Sequence, residues 1–298
     1  MRADRTSTQD VAGYAVARAA DGAGTAQGHA RLTARAARRD DDTTPGPWPL
    51  LGVVAYLVMV GMNGLANALP LFGNSTAEVS RRYPTLFTPA PFTFAVWGVI
   101  YLLLGAFAVY QALPAQRGDP RLARVRPLFV LSCLLNVGWL VAWHADRIAV
   151  SEVVMLALLG TLVAVGVRLD ARRAPASRTQ RWLVDAPFSV YLGWISVATI
   201  ANTAIFLVSQ GVDGGRYAVA VTVAVVAAAG ALGLAATLTR RDAAYALVVG
   251  WGLVGVAAAR AGESGTVSVT AAVSAGLLAV AAAWALGNRL RRSPDVRA

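Results

Sequence analysis

The sequence contains no lysine, one cysteine and two histidines, and these absences exclude several kinds of site. Cys133 alone allows neither an intrachain disulfide nor a cysteine-based metal centre. His29 and His144 lie far apart in the chain, so we expect no bound metal. All 27 basic residues are arginines spread over short segments rather than gathered in one patch. The net charge of +11 therefore does not predict nucleic-acid binding.

Charged residues of both signs are also scarce. They make up 14% of the chain, whereas a soluble domain carries about 25%. Hydrophobic residues reach 56% and the mean hydropathy is +0.54. The apolar residues come in blocks of roughly 20, the length that crosses about 30 Å of hydrocarbon at about 1.5 Å per residue. We therefore predict an all-α polytopic membrane protein in contact with the lipid bilayer.

Eight apolar spans are predicted, and an even number places both termini on one side. The spans are 48–70, 92–113, 127–144, 149–169, 187–209, 217–239, 243–260 and 266–288. With a cytoplasmic N-terminus, the inside segments after residue 47 hold 15 arginines and the outside segments hold five. This bias predicts a multi-pass protein of the cell (plasma or inner) membrane, with cytoplasmic N- and C-termini.

The remaining segments differ in composition from the spans. Residues 1–47 have few large apolar side chains, which predicts a disordered cytoplasmic tail, or a stretch ahead of the true start codon. No ordinary cleavable signal peptide is visible there. Residues 291–298 form a predicted C-terminal tail. The last three spans, within 210–290, are rich in Ala, Val and Gly, which favours a scaffold or the interface of a homodimer.

Four asparagines lie inside predicted spans, where an amide is costly unless it finds a partner. They are Asn63 and Asn67 in the first span, Asn136 in the third and Asn202 in the fifth. Helical rise places them with Trp97, Trp139 and Glu152 in one layer of the outer half. Taken singly, each residue has a simpler explanation. An asparagine in a membrane helix commonly joins two helices, and a tryptophan near the interface commonly anchors the helix at the membrane surface. Glu152 alone would be expected to reach the lipid headgroups. Together they predict a small-molecule pocket lined by indoles and amides.

Three short motifs carry the aromatic residues of this layer. In "FTPAPFTFAVWGVIYLLLG" (87–105), two prolines precede Trp97 and Tyr101, which share a helix face. In "LLNVGW" (134–139), Asn136 and Trp139 share a face in the same way. In "DAPFSVYLGWISVATIAN" (185–202), Trp194, Ala198 and Asn202 form a stripe at a spacing of four.

These motifs resemble the TspO/MBR family of tryptophan-rich sensory proteins, which are related to the mitochondrial translocator protein. The resemblance rests on Pro89, Trp97 and Tyr101 at the start of the second helix, on Asn136 and Trp139, and on Tyr191, Trp194 and Asn202. Phe87 and Phe92 stand where the family usually has tryptophan, and Ala90 replaces its second proline. The similarity covers about 48–209 and implies a five-helix bundle, to which this chain adds three transmembrane helices.

The resemblance also implies a function. Family members bind tetrapyrroles and other lipophilic ligands inside the bundle, so a receptor or sensor for a porphyrin or haem-like tetrapyrrole is expected, with no required cofactor. The expected ligand-binding residues are Pro89, Trp97, Tyr101, Asn136, Trp139, Tyr191, Trp194, Asn202, Asn63 and Asn67. Some members promote light-dependent porphyrin breakdown, which would involve Trp97 and Trp194 here. No other catalytic residues are expected, because no paired carboxylates or nucleophile–base constellation lies within the spans.

Two other functions stay open at this point. A transporter or efflux protein for lipophilic compounds predicts a route through the bundle, commonly with helices broken at the midplane. The prolines here lie at span ends, and Glu152 is placed near the surface, so no buried acid is expected to couple protons. A purely structural role is the third reading. Arg81 and Arg82, in the loop before the second span, are expected either to meet ligand carboxylates or to be solvated.

Overall fold

The computed structural model describes residues 46–170 and 176–291, with side chains described through residue 288. Eight helices in this part of the chain are long and apolar enough to cross a membrane, which confirms the all-α polytopic fold. They are α1 (Trp48–Ala68), α2 (Val96–Ala112), α3 (Pro120–His144), α4 (Ile148–Asp170), α5 (Ala186–Ser209), α6 (Ala218–Arg240), α7 (Ala243–Arg260) and α8 (Gly265–Arg291). The predicted tails, 1–47 and 291–298, fall almost wholly outside the described residues.

The first five helices form a closed ring in which each packs against two others. Going around the ring, the order is α1, α2, α5, α4 and α3, and α3 packs back on α1. Helices α6, α7 and α8 pack on one another, and α7 joins them to the ring through extensive contact with α5. The structure thus has a five-helix ring beside a three-helix group.

Successive helices run antiparallel, so the bundle has two chemically different ends. One end carries the segment between α1 and α2, which contains a short loop helix, Thr76–Arg82; we call it the loop end. At the other end α3, α5 and α7 begin, and Arg121, Arg181 and Arg240 lie there; we call it the arginine end. Every site described below lies at one of these two ends.

Helix α3 begins seven residues earlier than the predicted span at 127–144, which corrects that boundary. Asp119 caps its start by accepting hydrogen bonds from the backbone N–H groups of Arg121, at 2.7 Å, and Leu122, at 3.3 Å. Pro120 occupies the first helical position, where a missing N–H costs nothing. Pro127 lies inside the helix and removes one internal hydrogen bond. The start of α3 is therefore set by its capping residues and not by the point where the apolar run begins.

Arg126, expected in a loop, is buried in the second turn of α3 with 4% of its surface exposed. Its Nη2 donates to the carbonyl of Gln111 at 2.9 Å and to that of Gln116 at 2.7 Å, and its Nη1 donates to the carbonyl of Arg117 at 3.2 Å. Its Nε donates to Oε1 of Gln111 at 3.1 Å. The guanidinium thus satisfies carbonyls at and beyond the end of α2, where helical partners run out.

Small residues bring α7 close to α5. A Cβ placed on Gly193 would lie 3.0 Å from the carbonyl oxygen of Tyr245, and one on Gly252 would lie 2.7 Å from Cγ1 of Val197. Tyr245 also donates its hydroxyl to Oγ of Ser196 at 3.1 Å. Glycine at these positions permits the close approach that drives helix association in membranes.

Helix α7 also holds the start of α2. A 3₁₀ turn, Pro91–Ala95, leads directly into α2. The backbone N–H of Ala90 donates to the carbonyl of Gly255 at 3.0 Å, and Nε1 of Trp251 donates to the carbonyl of Thr93 at 2.8 Å. The rings of Phe92 and Trp251 meet edge to face at 5.5 Å. The three-helix group is therefore joined to the entrance of α2 as well as to α5.

Candidate functional site

A small cavity lies at the loop end of the ring, between α2, α3, α5 and the segment that joins α1 to α2. Its volume is about 50 Å³. Five of the ten predicted ligand-binding residues line it: Pro89, Trp97, Trp139, Trp194 and Asn202. They come from four separate parts of the chain, because Pro89 precedes α2 and the tryptophans lie on α2, α3 and α5.

The indole of Trp97 is the centre of an aromatic cluster beside the cavity. It stacks on Tyr101, with ring centroids 5.4 Å apart and planes 20° apart. It meets Tyr191 and Trp194 edge to face, each at 6.1 Å. Phe94 meets Trp194 edge to face at 5.6 Å from the other side. Pairs of this geometry stabilise one another beyond their buried area, so the cluster holds the Trp97 ring in a defined orientation.

The indole N–H of Trp194 is buried without a hydrogen-bond acceptor among the described residues. The residue is 1% exposed, and its Nε1 has no hydrogen-bond acceptor among the described residues. A buried indole N–H usually finds a partner, and leaving one unmade is costly. Trp194 therefore brings an unpaired N–H to the residues that line the cavity.

A hydrogen-bond chain links the cavity to α4. Nε1 of Trp139 donates to Oδ1 of Asn202 at 3.0 Å. Nδ2 of Asn202 donates to Oε2 of Glu152 at 2.6 Å, and the hydroxyl of Thr203 donates to Oε1 of Glu152 at 2.7 Å. The chain fixes which way the Asn202 amide points, because its oxygen accepts from the indole and its nitrogen faces the carboxylate.

The position of Glu152 corrects the expectation that it reaches the headgroups. Its exposed fraction is 6%, since it faces α5 inside the ring rather than the lipid surface. Glu152 lies at the depth along α4 that the sequence implies. Whether its side chain faces lipid or the bundle depends on where α5 packs. An ionisable side chain enclosed in a membrane bundle is commonly functional.

Three other predicted residues form a separate buried network. Nδ2 of Asn63 donates to Oδ1 of Asn136 at 2.9 Å, and Nδ2 of Asn136 donates to the hydroxyl of Tyr191 at 3.2 Å. Nδ2 of Asn63 also donates to the carbonyl of Met59 at 2.9 Å. These residues join α1, α3 and α5 and do not line the cavity. In this structure the network connects helices, as single membrane asparagines commonly do.

The last two predicted residues also lie off the cavity wall. Asn67 is exposed and donates Nδ2 to the carbonyl of Asn63 at 2.8 Å. Tyr101 lies behind Trp97, and its hydroxyl has no partner among the described residues. Its backbone carbonyl accepts a hydrogen bond from the hydroxyl of Tyr56 at 2.9 Å. Tyr101 is thus a support for Trp97 rather than a wall residue.

The structure adds wall residues that the sequence reasoning missed. Trp143 stacks on Trp139 with centroids 5.7 Å apart, and Phe94 precedes Trp97 by one turn. Trp143 lies four residues after Trp139 and Phe94 three residues before Trp97, so helical spacing could have identified both as wall residues. The other added wall residues are Thr76, Ser80, Thr88, Val197, Ala201 and Ile205, and Ala198 of the predicted stripe lines the wall with them. The loop threonines and serine carry no sequence signal, because only folding of the loop brings them to the cavity.

The loop is fastened to the end of α3 beside the cavity. Arg82 forms an ion pair with Asp146 and donates Nη2 to Oδ1 of Asn74 at 2.9 Å. Nε1 of Trp143 donates to the carbonyl of Thr76 at 3.3 Å. Burial and the nearby Asp146 carboxylate raise the pKa of Tyr83, whose hydroxyl also faces Asp146. Arg82 therefore already has a carboxylate partner.

The cavity as it stands is closed to large ligands. A volume of about 50 Å³ has room for only a few waters, since one water needs about 10–15 Å³ of cavity space. Pockets for drug-sized ligands measure about 300–1,000 Å³. Within the described residues, no cluster of three or more His, Cys, Asp or Glu side chains could hold a metal ion. The site therefore offers aromatic faces and a few amide and indole groups.

Comparison with known proteins identifies a family. A family model described as "TSPO-like protein" matches residues 49–284. The match continues past residue 209, where the motif resemblance ended, and includes most of the three-helix group. No curated protein and no solved structure matches the chain.

Proposed function

The chain belongs to the TSPO-like protein family. We propose that it is a membrane receptor or sensor for a planar hydrophobic ligand, and that this ligand is a tetrapyrrole. The observation that carries the proposal is that Trp97, Trp139 and Trp194, from three helices, line one cavity. Indoles provide large flat surfaces for a planar ring, and Asn202 adds a polar group that can orient it.

Binding requires the cavity to open, and the loop is the wall that can move. Thr76, Ser80, Thr88 and Pro89 form this wall, and all belong to the segment between α1 and α2. The opposite walls are transmembrane helices held within the ring. Outward movement of the loop would enlarge the cavity toward the size of ordinary ligand pockets without unpacking the ring.

Ligand contacts follow from the groups that face the cavity. The ring system would lie against Trp97 and Trp194, where the unused indole N–H of Trp194 can donate to it. Trp139 is held by Asn202 and would form the third face. Asn63, Asn136, Tyr191 and Tyr101 would act indirectly, by keeping the helices and the Trp97 ring in place.

The test is a titration of protoporphyrin IX into the purified full chain, followed by tryptophan fluorescence. We expect saturable quenching in the natural protein and a strong loss of affinity in a Trp97→Phe, Trp194→Phe double variant. Trp284→Phe is the matched control, because Trp284 lies on α8 with 51% of its surface exposed. Equal affinity in the double variant and the control would refute the pocket assignment.

A second candidate, a transporter for lipophilic compounds, is favoured by the buried Glu152. A membrane carboxylate enclosed between helices can carry a proton during transport. The measurement is uptake of protoporphyrin IX into liposomes containing the protein, with and without an imposed proton gradient. Gradient-dependent uptake that disappears in Glu152→Gln would establish transport, and uptake independent of the gradient would eliminate proton coupling.

A further inference from the structure

A second cavity of about 370 Å³ lies at the arginine end, far along the helices from the tryptophan cavity. It is bounded by the end of α4, the start of α5 and the junction between α6 and α7. Its volume already falls within the range of about 300–1,000 Å³ that is usual for ligand pockets.

The mouth of this cavity is rich in arginine. Among the described residues, four arginines and three aspartates line it. Nη2 of Arg121 pairs with Asp185 at 2.5 Å, and both side chains are partly buried. Asp242 accepts a hydrogen bond from the Ser189 hydroxyl at 2.7 Å and from the backbone N–H of Tyr245 at 3.0 Å, so it is committed as the cap of α7. The four arginines and three aspartates therefore give the described part of the lining a formal charge of +1.

One ion pair at the mouth is weak enough to be exchanged. Nη1 of Arg240 lies 3.1 Å from Oδ2 of Asp170, with side chains that are 54% and 59% exposed. Exposed pairs of this kind contribute little to stability. Arg181, also at the mouth, donates Nε to the carbonyl of Ala176 at 3.2 Å, and its terminal guanidinium nitrogens have no acceptor among the described residues. Arg181 and Arg240 can thus receive an anion without breaking the fold.

The floor of the cavity is apolar. Leu162 and Leu169 of α4 face Phe188 and Leu192 of α5 across it. Gly166 opens the α4 wall, because a Cβ placed there would meet only Leu192, at 4.0 Å. A charged mouth over an apolar floor suits a molecule with an anionic head and a hydrophobic chain.

We propose that this cavity binds an anionic amphiphile, with its phosphate or carboxylate head at Arg181 and Arg240 and its apolar chain between α4 and α5. The same chemistry occurs in an anionic membrane lipid and in a free fatty acid. The site is separate from the tryptophan cavity, and the proposal does not depend on tetrapyrrole binding.

The experiment measures binding to the detergent-solubilised full chain by native mass spectrometry, with melting temperature as a second readout. The probes are phosphatidylglycerol, phosphatidylcholine, oleate and inorganic phosphate. We expect phosphatidylglycerol to bind more tightly than phosphatidylcholine. An Arg181→Gln, Arg240→Gln double variant should weaken that binding by about tenfold or more, since each arginine near an anionic headgroup contributes favourably. Displacement by oleate would identify a fatty acid as a competent source, and failure to displace would identify the membrane lipid.

Matched variants separate the site from a general charge effect. Arg81→Gln, Arg216→Gln removes two charges at the loop end and should leave phosphatidylglycerol binding unchanged. Gly166→Leu should block the floor and abolish binding without altering charge. Equal binding of the two lipids, unchanged affinity in the Arg181→Gln, Arg240→Gln variant, or an equal effect of inorganic phosphate would overturn the proposal. Loss of protoporphyrin quenching in that variant would overturn the separation of the two sites.

Discussion

Substitution of Gly255 by alanine tests whether α7 holds the entrance of α2. A Cβ at this position would lie 2.0 Å from Oγ1 of Thr93 and 2.9 Å from its Cβ and Cγ2. These distances are far below van der Waals contact, so either the Pro91–Ala95 turn or α7 must shift. The shift would strain two hydrogen bonds, Ala90 to Gly255 and Trp251 to Thr93.

The expected loss of stability follows from the packing. Overpacking a close contact costs about 1–3 kcal/mol. In a chain of this size, about 1 kcal/mol lowers Tm by roughly 2–4 °C. We therefore expect Gly255→Ala to lower the Tm of the full chain in detergent by roughly 2–12 °C.

Two variants make this prediction specific. Gly98→Ala, on α2 itself, meets no atom within 4 Å and should leave Tm unchanged or raise it slightly. Thr93→Ala removes the nearest atom, a hydroxyl that has no partner among the described residues, and should partly rescue Gly255→Ala. If Gly255→Ala melts at the same temperature as Gly98→Ala, α7 does not support the entrance of α2.

Three further predictions concern the polar networks and the loop. Trp139→Phe removes the hydrogen bond to Asn202 and should destabilise the protein by about 0.5–1.5 kcal/mol in thermal melts, whereas an unchanged melting temperature would contradict the chain that leads to Glu152. Asn136→Leu removes the hydrogen bonds that join Asn136 to Asn63 and to Tyr191 and should cost on the order of 1–2 kcal/mol, which a melt alongside Asn67→Leu as the exposed control would measure. Hydrogen bonds from Ser75 lower the pKa of Glu78, so their stabilisation of the loop helix is present at neutral pH and is lost as the pH falls below about 4. Protection of the loop amides against hydrogen exchange, relative to the intrinsic rate at each pH, should therefore fall at low pH in the natural protein. Ser75→Ala should reduce this pH dependence without removing it, because the backbone N–H at position 75 still donates to Oε2 of Glu78.

The membrane character and the number of helices follow from local sequence, because hydrocarbon thickness sets the length of each apolar run. Helix ends were harder to predict, since capping groups rather than hydropathy decide them. Asp119 and Pro120 start α3 among charged residues, and Arg126 is buried there by carbonyls at the end of α2. A residue's hydropathy alone does not reveal such partners.

The candidate site was predictable in part for the same reason. Helical spacing correctly places Trp194, Ala198 and Asn202 on one face, and all three line the cavity. The separation of the asparagines into two groups was not predictable. Asn136 pairs with Asn63, whereas Asn202 bonds Trp139 and Glu152, and these pairings depend on the rotation of each helix within the ring.

By itself, the sequence determined that eight of the described segments are long and apolar enough to cross a membrane and that aromatic and amide residues gather toward one end, because helical length and rise are properties of each segment alone. Tertiary structure decided that Glu152 faces inward, that the tryptophan cavity is closed by the loop, and that α7 holds the start of α2 through Gly255 and Trp251. These features depend on which helix faces meet, and contacts between residues as distant as Thr93 and Trp251 exist only once the whole bundle has packed.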